Sequence, residues 1–249
     1  MEENKEKYEG DIKVKTPFLK KLENFWYHYK WHSIVSAVVV IAIVICSLQM
    51  CTKTTYDIHI LYAGYYEIEM SGSGGDVSAH SKMTGELRRV TEDFDKDGNV
   101  NVNLLNLFVI DKNERDMLLS ENSDFEINEM LVKEDTDTLR SNLLFGEYYI
   151  CLLSERLFLE YEKMYDGELF APISDYTAEG IEYEYASENG IYLRSLDFCT
   201  LPEMSKLPDD TVIAIRALSE VSTAWGKKNN EESFAKAEAV LRNILFYNE

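Results

Sequence analysis

Seven residues, Asp93-Phe94-Asp95-Lys96-Asp97-Gly98-Asn99, carry the best-spaced set of oxygen donors in the chain. Asp93, Asp95, Asp97 and Asn99 stand at alternate positions. Such side chains can converge on one hard cation, Ca2+ by choice, while Gly98 makes the sharp turn. The same residues also spell a polar β-hairpin turn in which Asp97-Gly98 sets the backbone. Two features weigh toward the hairpin. The twelfth position, where a bidentate acid would complete a calcium shell, is Leu104, and Val100, Val102 and Leu104 alternate with asparagines as in a strand.

Other chemistry is thin. Two histidines follow residue 51, His59 in a strand-like stretch and His80 in a polar one. A single imidazole in a strand more often packs than catalyses. The chain has no G-x-S-x-G, H-E-x-x-H or C-x-x-C, and Ser71-Gly-Ser-Gly-Gly75 lacks the lysine and spacing of a phosphate loop. No catalytic residue is assigned, and the chain is expected not to be an enzyme. Tyrosines are abundant, among them Tyr62, Tyr161, Tyr183 and Tyr192, with Trp225. Most of these read as sheet and core residues. Tyr65, Tyr66, Tyr148 and Tyr149 are the candidates for ligand binding, because tyrosine is large, stiff and polar at its tip. Tyr65-Tyr66 follows the first strand, at the end where open α/β sheets place ligands.

These residues need a scaffold, and Lys133–Ser174 shows its pattern most plainly. DTDTLRSNLLF reads as a helix stopped by Gly146. EYYICLLS is a continuous apolar run of strand length, the mark of a strand buried on both faces. Ser154 then precedes ERLFLEYEKMY, a second helix with Gly167 beyond its end. Strands are predicted at Tyr56–Ala63, Asn99–Leu104, Phe125–Leu131, Tyr183–Tyr192 and Asp210–Ala217. Helices are predicted within Gly85–Phe94, at Asn113–Ser120 and at Glu231–Tyr247, with Ser71–Ser81 a flexible connection. The fold class is therefore α/β, one mixed sheet covered by helices.

Ahead of this unit lies Ser33–Cys51, 19 residues without a charge. A helix of about 20 apolar residues crosses a bilayer. Lys13, Lys15, Lys20, Lys21 and Lys30 precede it, and only Lys53 follows before Lys82. Positive charge stays on the cytoplasmic side, so the N-terminus is placed inside and the α/β domain outside. Pro17–His32, with Thr16 as its cap and Phe25, Trp26, Tyr27, Tyr29 and Trp31 at the boundary, reads as an interfacial helix. The division is residues 1–32 as cytoplasmic tail, 33–51 as transmembrane helix and 54–249 as extracytoplasmic domain. An uncleaved anchor is favoured over a signal peptide, since the leader is long and SLQMC offers no small-residue cleavage pattern. It is favoured over a lipoprotein anchor too, since Met50 precedes Cys51.

The chain has a net charge of −20, and residues 33–249 hold 18 basic against 39 acidic groups. Nucleic acid and anionic surfaces are excluded as partners, because both need clustered Lys and Arg. Cys151 and Cys199 lie in the outer part in apolar contexts, where a disulfide and two buried thiols both remain open.

Two resemblances follow from the quoted residues. Asp93–Asn99 resembles the first half of a calcium loop of the EF-hand or dockerin kind. The segment from Thr138 to Tyr176, through Gly146, Tyr148–Leu153, Tyr161 and Gly167–Ile173, resembles part of an extracellular solute-binding protein of ABC importers. The whole chain is similar to single-pass anchored extracytoplasmic proteins of Gram-positive bacteria. This implies a solute-binding-like lobe, without the family's strand-end Asp and in a chain too short for two lobes. The expected function is a membrane-tethered module holding a small solute or a membrane-protein partner. The alternative is a non-catalytic structural or sensory subunit of a membrane complex.

Overall fold

No glycine or proline interrupts the chain from Phe18 to Cys51, and the result is one unbroken helix, α1 (Pro17–Cys51). The segments predicted as an interfacial helix and as a span are thus one continuous helix, about 52 Å long at 1.5 Å per residue. Within it Phe25–Ser47 has a mean hydropathy of 1.9 and buries none of its surface in the fold. It is long and apolar enough to cross a membrane. The computed structural model describes residues 17–51, 55–69, 77–123, 125–178, 180–218 and 227–248. Thr16, Lys53, Ser71–Gly75 and Trp225 lie outside the described residues. The chain divides into two units, Met1–Thr54 and Thr55–Glu249.

The second unit is α/β. Its strands are β1 (Ile58–Gly64), β2 (Val102–Phe108), β3 (Ile150–Ser154), β4 (Tyr185–Ser187), β5 (Gly190–Tyr192) and β6 (Thr211–Ile215). They form one mixed six-stranded sheet in the order β2-β1-β3-β6-β5-β4. β1 pairs in parallel with β2 (Ile60 opposite Leu104) and with β3 (Ile60 opposite Ile150). β6 runs antiparallel to β3 and to β5. β3 is buried at every position, as its continuous apolar run requires.

Alternation along the strands divides the core in two. Ile58, Ile60, Tyr62, Ile150, Leu152, Ile213 and Ile215 face α2 (Ala79–Leu87) and α6 (Lys227–Leu245), which bring Met83, Leu87, Ala237, Val240, Leu241 and Ile244. Leu61, Ala63, Cys151, Leu153, Val212 and Ala214 face α4 (Glu129–Phe145) and α5 (Glu155–Met164), through Leu139, Leu143, Leu157, Phe158 and Tyr161. Each fully buried Leu, Ile or Phe contributes roughly 1.5–3 kcal/mol, so these two layers hold the unit together. The remaining helix, α3 (Lys112–Glu121), buries no residue.

Several local expectations change. Phe125–Leu131 is not a strand: the Asn128 side chain accepts from Met130 N and Leu131 N and starts α4 at Glu129. Ala79–Ser81 belongs to α2, capped by Ser78, and that helix ends at Leu87. Asp97-Gly98 makes no hairpin, because β1 and β2 are parallel and the turn leads from α2 into β2. Tyr183–Tyr192 is instead a hairpin, β4 and β5 joined at Glu188-Asn189. Ser154 begins α5 without a side-chain capping bond. Cys151 and Cys199 are free thiols on opposite faces of the sheet.

Candidate functional site

The four candidate tyrosines do not share a cleft. Tyr65 and Tyr66 follow the carboxyl end of β1, whereas Tyr148 and Tyr149 precede the amino end of β3. Because β1 and β3 are parallel, Tyr148 lies level with Ile58, six residues before Gly64. The two pairs are therefore separated by roughly 20 Å at 3.3 Å per residue. Parallel pairing, which the sequence does not specify, decides this.

At the carboxyl end the tyrosines are already engaged. Tyr65 donates its hydroxyl to Asp210 Oδ1 at 2.9 Å and its ring joins Phe108, Ile110 and Val132. Burial first, then that hydrogen bond, pushes the Tyr65 hydroxyl above its ordinary range. Burial also raises Asp210, and the Tyr65 bond partly offsets it. Tyr66 packs against the α6-side core.

The amino end is built differently. His59 on β1 lies opposite Asn103 on β2, and both are part-buried near the strand start. Asn103 Nδ2 donates to His59 Nδ1 at 2.9 Å and to the Tyr148 hydroxyl at 3.0 Å. An amide NH2 only donates, so Nδ1 is the acceptor and the neutral ring carries its proton on Nε2. Nε2 faces Glu147 Oε2 at 3.7 Å. Tyr56 and Tyr148 meet the imidazole edge-on, at 5.6 and 5.4 Å between ring centroids. Tyr56, Asp57, His59, Glu147, Glu232, Ser233 and Lys236 are among the residues that line a cleft of about 240 Å³. Burial holds the His59 pKa below the usual imidazole range; Glu147 opposes the shift and Lys236 adds to it. The Tyr148 hydroxyl is raised, by burial above all. Tyr149 is wholly buried and stacks under Arg216.

Beside this cleft the Asp93–Asn99 loop is folded around a residue outside it. Buried Asp57 accepts Phe94 N (2.8 Å) and Asp95 N (3.3 Å) on Oδ1, and Asn101 N (2.8 Å) on Oδ2. Asp93 accepts Asp97 N and Gly98 N, at 3.2 and 2.9 Å. Asp95 accepts Asp97 N at 3.1 Å and the Thr55 hydroxyl at 2.7 Å. The Thr55 bond first, then the Asp97 amide, hold Asp95 below the ordinary carboxylate range. Asp97 accepts Asn99 N at 2.7 Å. Lys96 and Gly98 take positive φ, 60° and 88°. Donor oxygens of Asp57, Asp93 and Asp95 lie within 4.8 Å of one another. The converging set thus contains Asp57, with Asp97 and Asn99 outside it. A carboxylate offers about four acceptor positions, so each of the three keeps at least one beyond these bonds.

Sequence reasoning missed Asp57, Asn103 and Lys236, and gave His59 a surface or packing role. An acid directly before a strand was a usable signal for Asp57. The register of β1 against β2, which unites His59 with Asn103, left none. Comparison of the chain with protein-family models, with curated proteins and with solved structures finds no match.

Proposed function

We propose that this chain is a membrane-tethered binding module, with a cytoplasmic N-terminus and an extracytoplasmic α/β unit. Its working surface is the amino end of β1, β2 and β3. The cleft at His59 carries the proposal. It combines a half-buried imidazole met edge-on by two tyrosines with one ammonium, Lys236, and three carboxylates, Asp57, Glu147 and Glu232, around an open space. Such convergent polar groups on aromatic walls suit a small polar solute or an exposed peptide segment. The lysines ahead of Phe25–Ser47 support the orientation. A solute-binding protein closes two lobes around its ligand, and the described residues build one sheet, so the reading is of a single-lobed, degenerate relative. Asp57, Asp93 and Asp95 are the residues that would hold Ca2+, which would brace the loop beside the cleft.

Thermal unfolding of the detergent-solubilised chain against sugars, amino acids, short peptides and Ca2+ tests this. A ligand at a hundredfold excess over its dissociation constant adds about 2.7 kcal/mol of stability. An organic solute should raise the midpoint in the parent and not in His59→Ala. Ca2+ should raise it in the parent and not in Asp93→Ala. No shift with any of them would favour a structural subunit. An impermeant protease applied to intact cells should remove the α/β unit; full protection would reverse the orientation.

A further inference from the structure

The cleft at the amino end of β1 and β3 holds charges of both signs, and two of them are unmatched within the fold. Lys236 stands half-buried on α6 and forms no ion pair among the described residues. That is so although acidic groups outnumber basic ones by 39 to 18 after residue 32. Its Nζ lies 5.5 Å from the centroid of the Phe94 ring, and it acts on Asp95 and His59 at a distance. Glu147, three residues before β3, is mostly exposed. Its Oε2 stops 3.7 Å from His59 Nε2, too far for a hydrogen bond. Lys236 and Glu147 line the same open space of about 240 Å³, so one ligand can reach both. Asp57 is not a third open charge, because its buried carboxylate already serves three backbone amides. Glu232, one turn before Lys236 on α6, adds negative charge to the lining.

We propose that this cleft takes a small zwitterion, an ammonium and a carboxylate on one short carbon frame. The ligand's carboxylate accepts from Lys236 Nζ, its ammonium donates to Glu147, and its frame lies against the exposed Tyr56 ring. Each simpler class leaves a charge unmet. A plain carboxylate would pair with Lys236 but meet like charge on Asp57, Glu147 and Glu232. A plain amine would pair with Glu147 and bring a second ammonium to Lys236. A neutral sugar would hydrogen-bond to both groups and form an ion pair with neither, and bonds between ionised partners are the stronger ones. The cleft lies below the usual size of ligand pockets, so the frame is short. This inference rests on the reading of the His59 cleft as the binding surface, and names the ligand class for it.

The test is isothermal titration calorimetry of the detergent-solubilised full chain. The ligands are glycine, β-alanine and 4-aminobutanoate, with butanoate and butylamine as single-charge controls and glucose as a neutral one. At least one zwitterion should give a saturable heat, at lower concentration than any control. Lys236→Met keeps the stem beside Phe94, and Glu147→Gln keeps the side-chain shape. Each should weaken zwitterion binding roughly tenfold to a hundredfold, the loss of one hydrogen bond to a charged group. Both side chains reach solvent, so the circular dichroism of each variant should match the parent. Equal binding of butanoate or butylamine, or zwitterion binding unaltered in either variant, overturns the proposal. Binding of glucose alone, lost in His59→Ala, overturns the ligand class and keeps the cleft as the binding surface. No saturable heat from any of these ligands overturns both.

Discussion

At the scale of single residues, His59 and Asp57 make opposite electrostatic demands on the amino end of the sheet. The His59 pKa is held below the ordinary imidazole range by burial first and by Lys236, with Glu147 working the other way, while Asn103 N–H occupies Nδ1. Its folded pKa is depressed, so the unfolded chain binds the proton first. Stability is then full above about pH 6.5, the unfolded value, and falls as pH drops below it. Urea midpoints measured at pH 7.5 and 5 should differ more for the parent than for His59→Gln. An equal difference in the two proteins would remove His59 from the account. Asp57 acts as an acceptor for three backbone amides. Asp57→Ala leaves those donors without a buried partner and should cost about 2–4 kcal/mol in urea denaturation. Asp57→Asn, which keeps one carbonyl oxygen, should cost less.

Helices of the α/β unit differ in what holds them, and their glycines show it. Gly146 ends α4 with φ −77°, so it is not required for a left-handed turn. It is required for space, since a Cβ there would approach the Asn142 carbonyl oxygen to 2.7 Å. Gly85, inside α2, has nothing within 4 Å of the same position. Gly146→Ala should therefore destabilise by roughly 1–3 kcal/mol. Gly85→Ala should stabilise by about 0.5–1 kcal/mol, through helix propensity. Thermal unfolding of both variants checks the sign as well as the size. α3 presents a third case. It has a capping box of Asp111 and Glu114 but no buried residue, and Arg156 of α5 holds it through Glu114 at 2.9 and 2.7 Å. With Leu118 its partly buried apolar contact to the Phe108, Ile110 and Val132 cluster, so light an attachment opens readily. Hydrogen exchange should be fastest in α3 and slowest in β3, whose every residue is buried; the reverse order would contradict this division of stability.

On the scale of the whole molecule, the two units differ in the surface they expose. Phe25–Ser47 exposes Val35, Val38, Val40, Ile41 and Ile43 without covering any of them by protein, which suits lipid and not water. Thr55–Glu249 has both faces of its sheet covered from within the unit. Residues 55–249 produced alone should accordingly fold cooperatively and leave the membrane fraction, as read by circular dichroism and sedimentation. Persistent aggregation of that piece would mean that its apolar layers need α1. The excess of acidic groups, 39 against 18 after residue 32, opposes binding of this part of the chain to anionic lipid.

The apolar span, the α4-β3-α5 succession and the α/β class were legible in the residues alone, because each depends on periodicity and local stops within about 20 positions. The paired helix cover of the sheet followed from the same signal, since a continuous apolar strand must be buried on both sides. What only the tertiary structure decided was which residues meet. Parallel pairing put Tyr65 and Tyr148 at opposite ends of the sheet and set His59 beside Asn103, 44 positions later. It also turned the Asp97-Gly98 segment from a hairpin into a loop wrapped on Asp57. Arg216 shows the same limit. An arginine after a strand reads as a surface residue, and its burial comes from the end of α4 folding over it, a contact across 70 residues of chain. Strand order and register arise from the sum of packing over the whole core, so no local pattern encodes them.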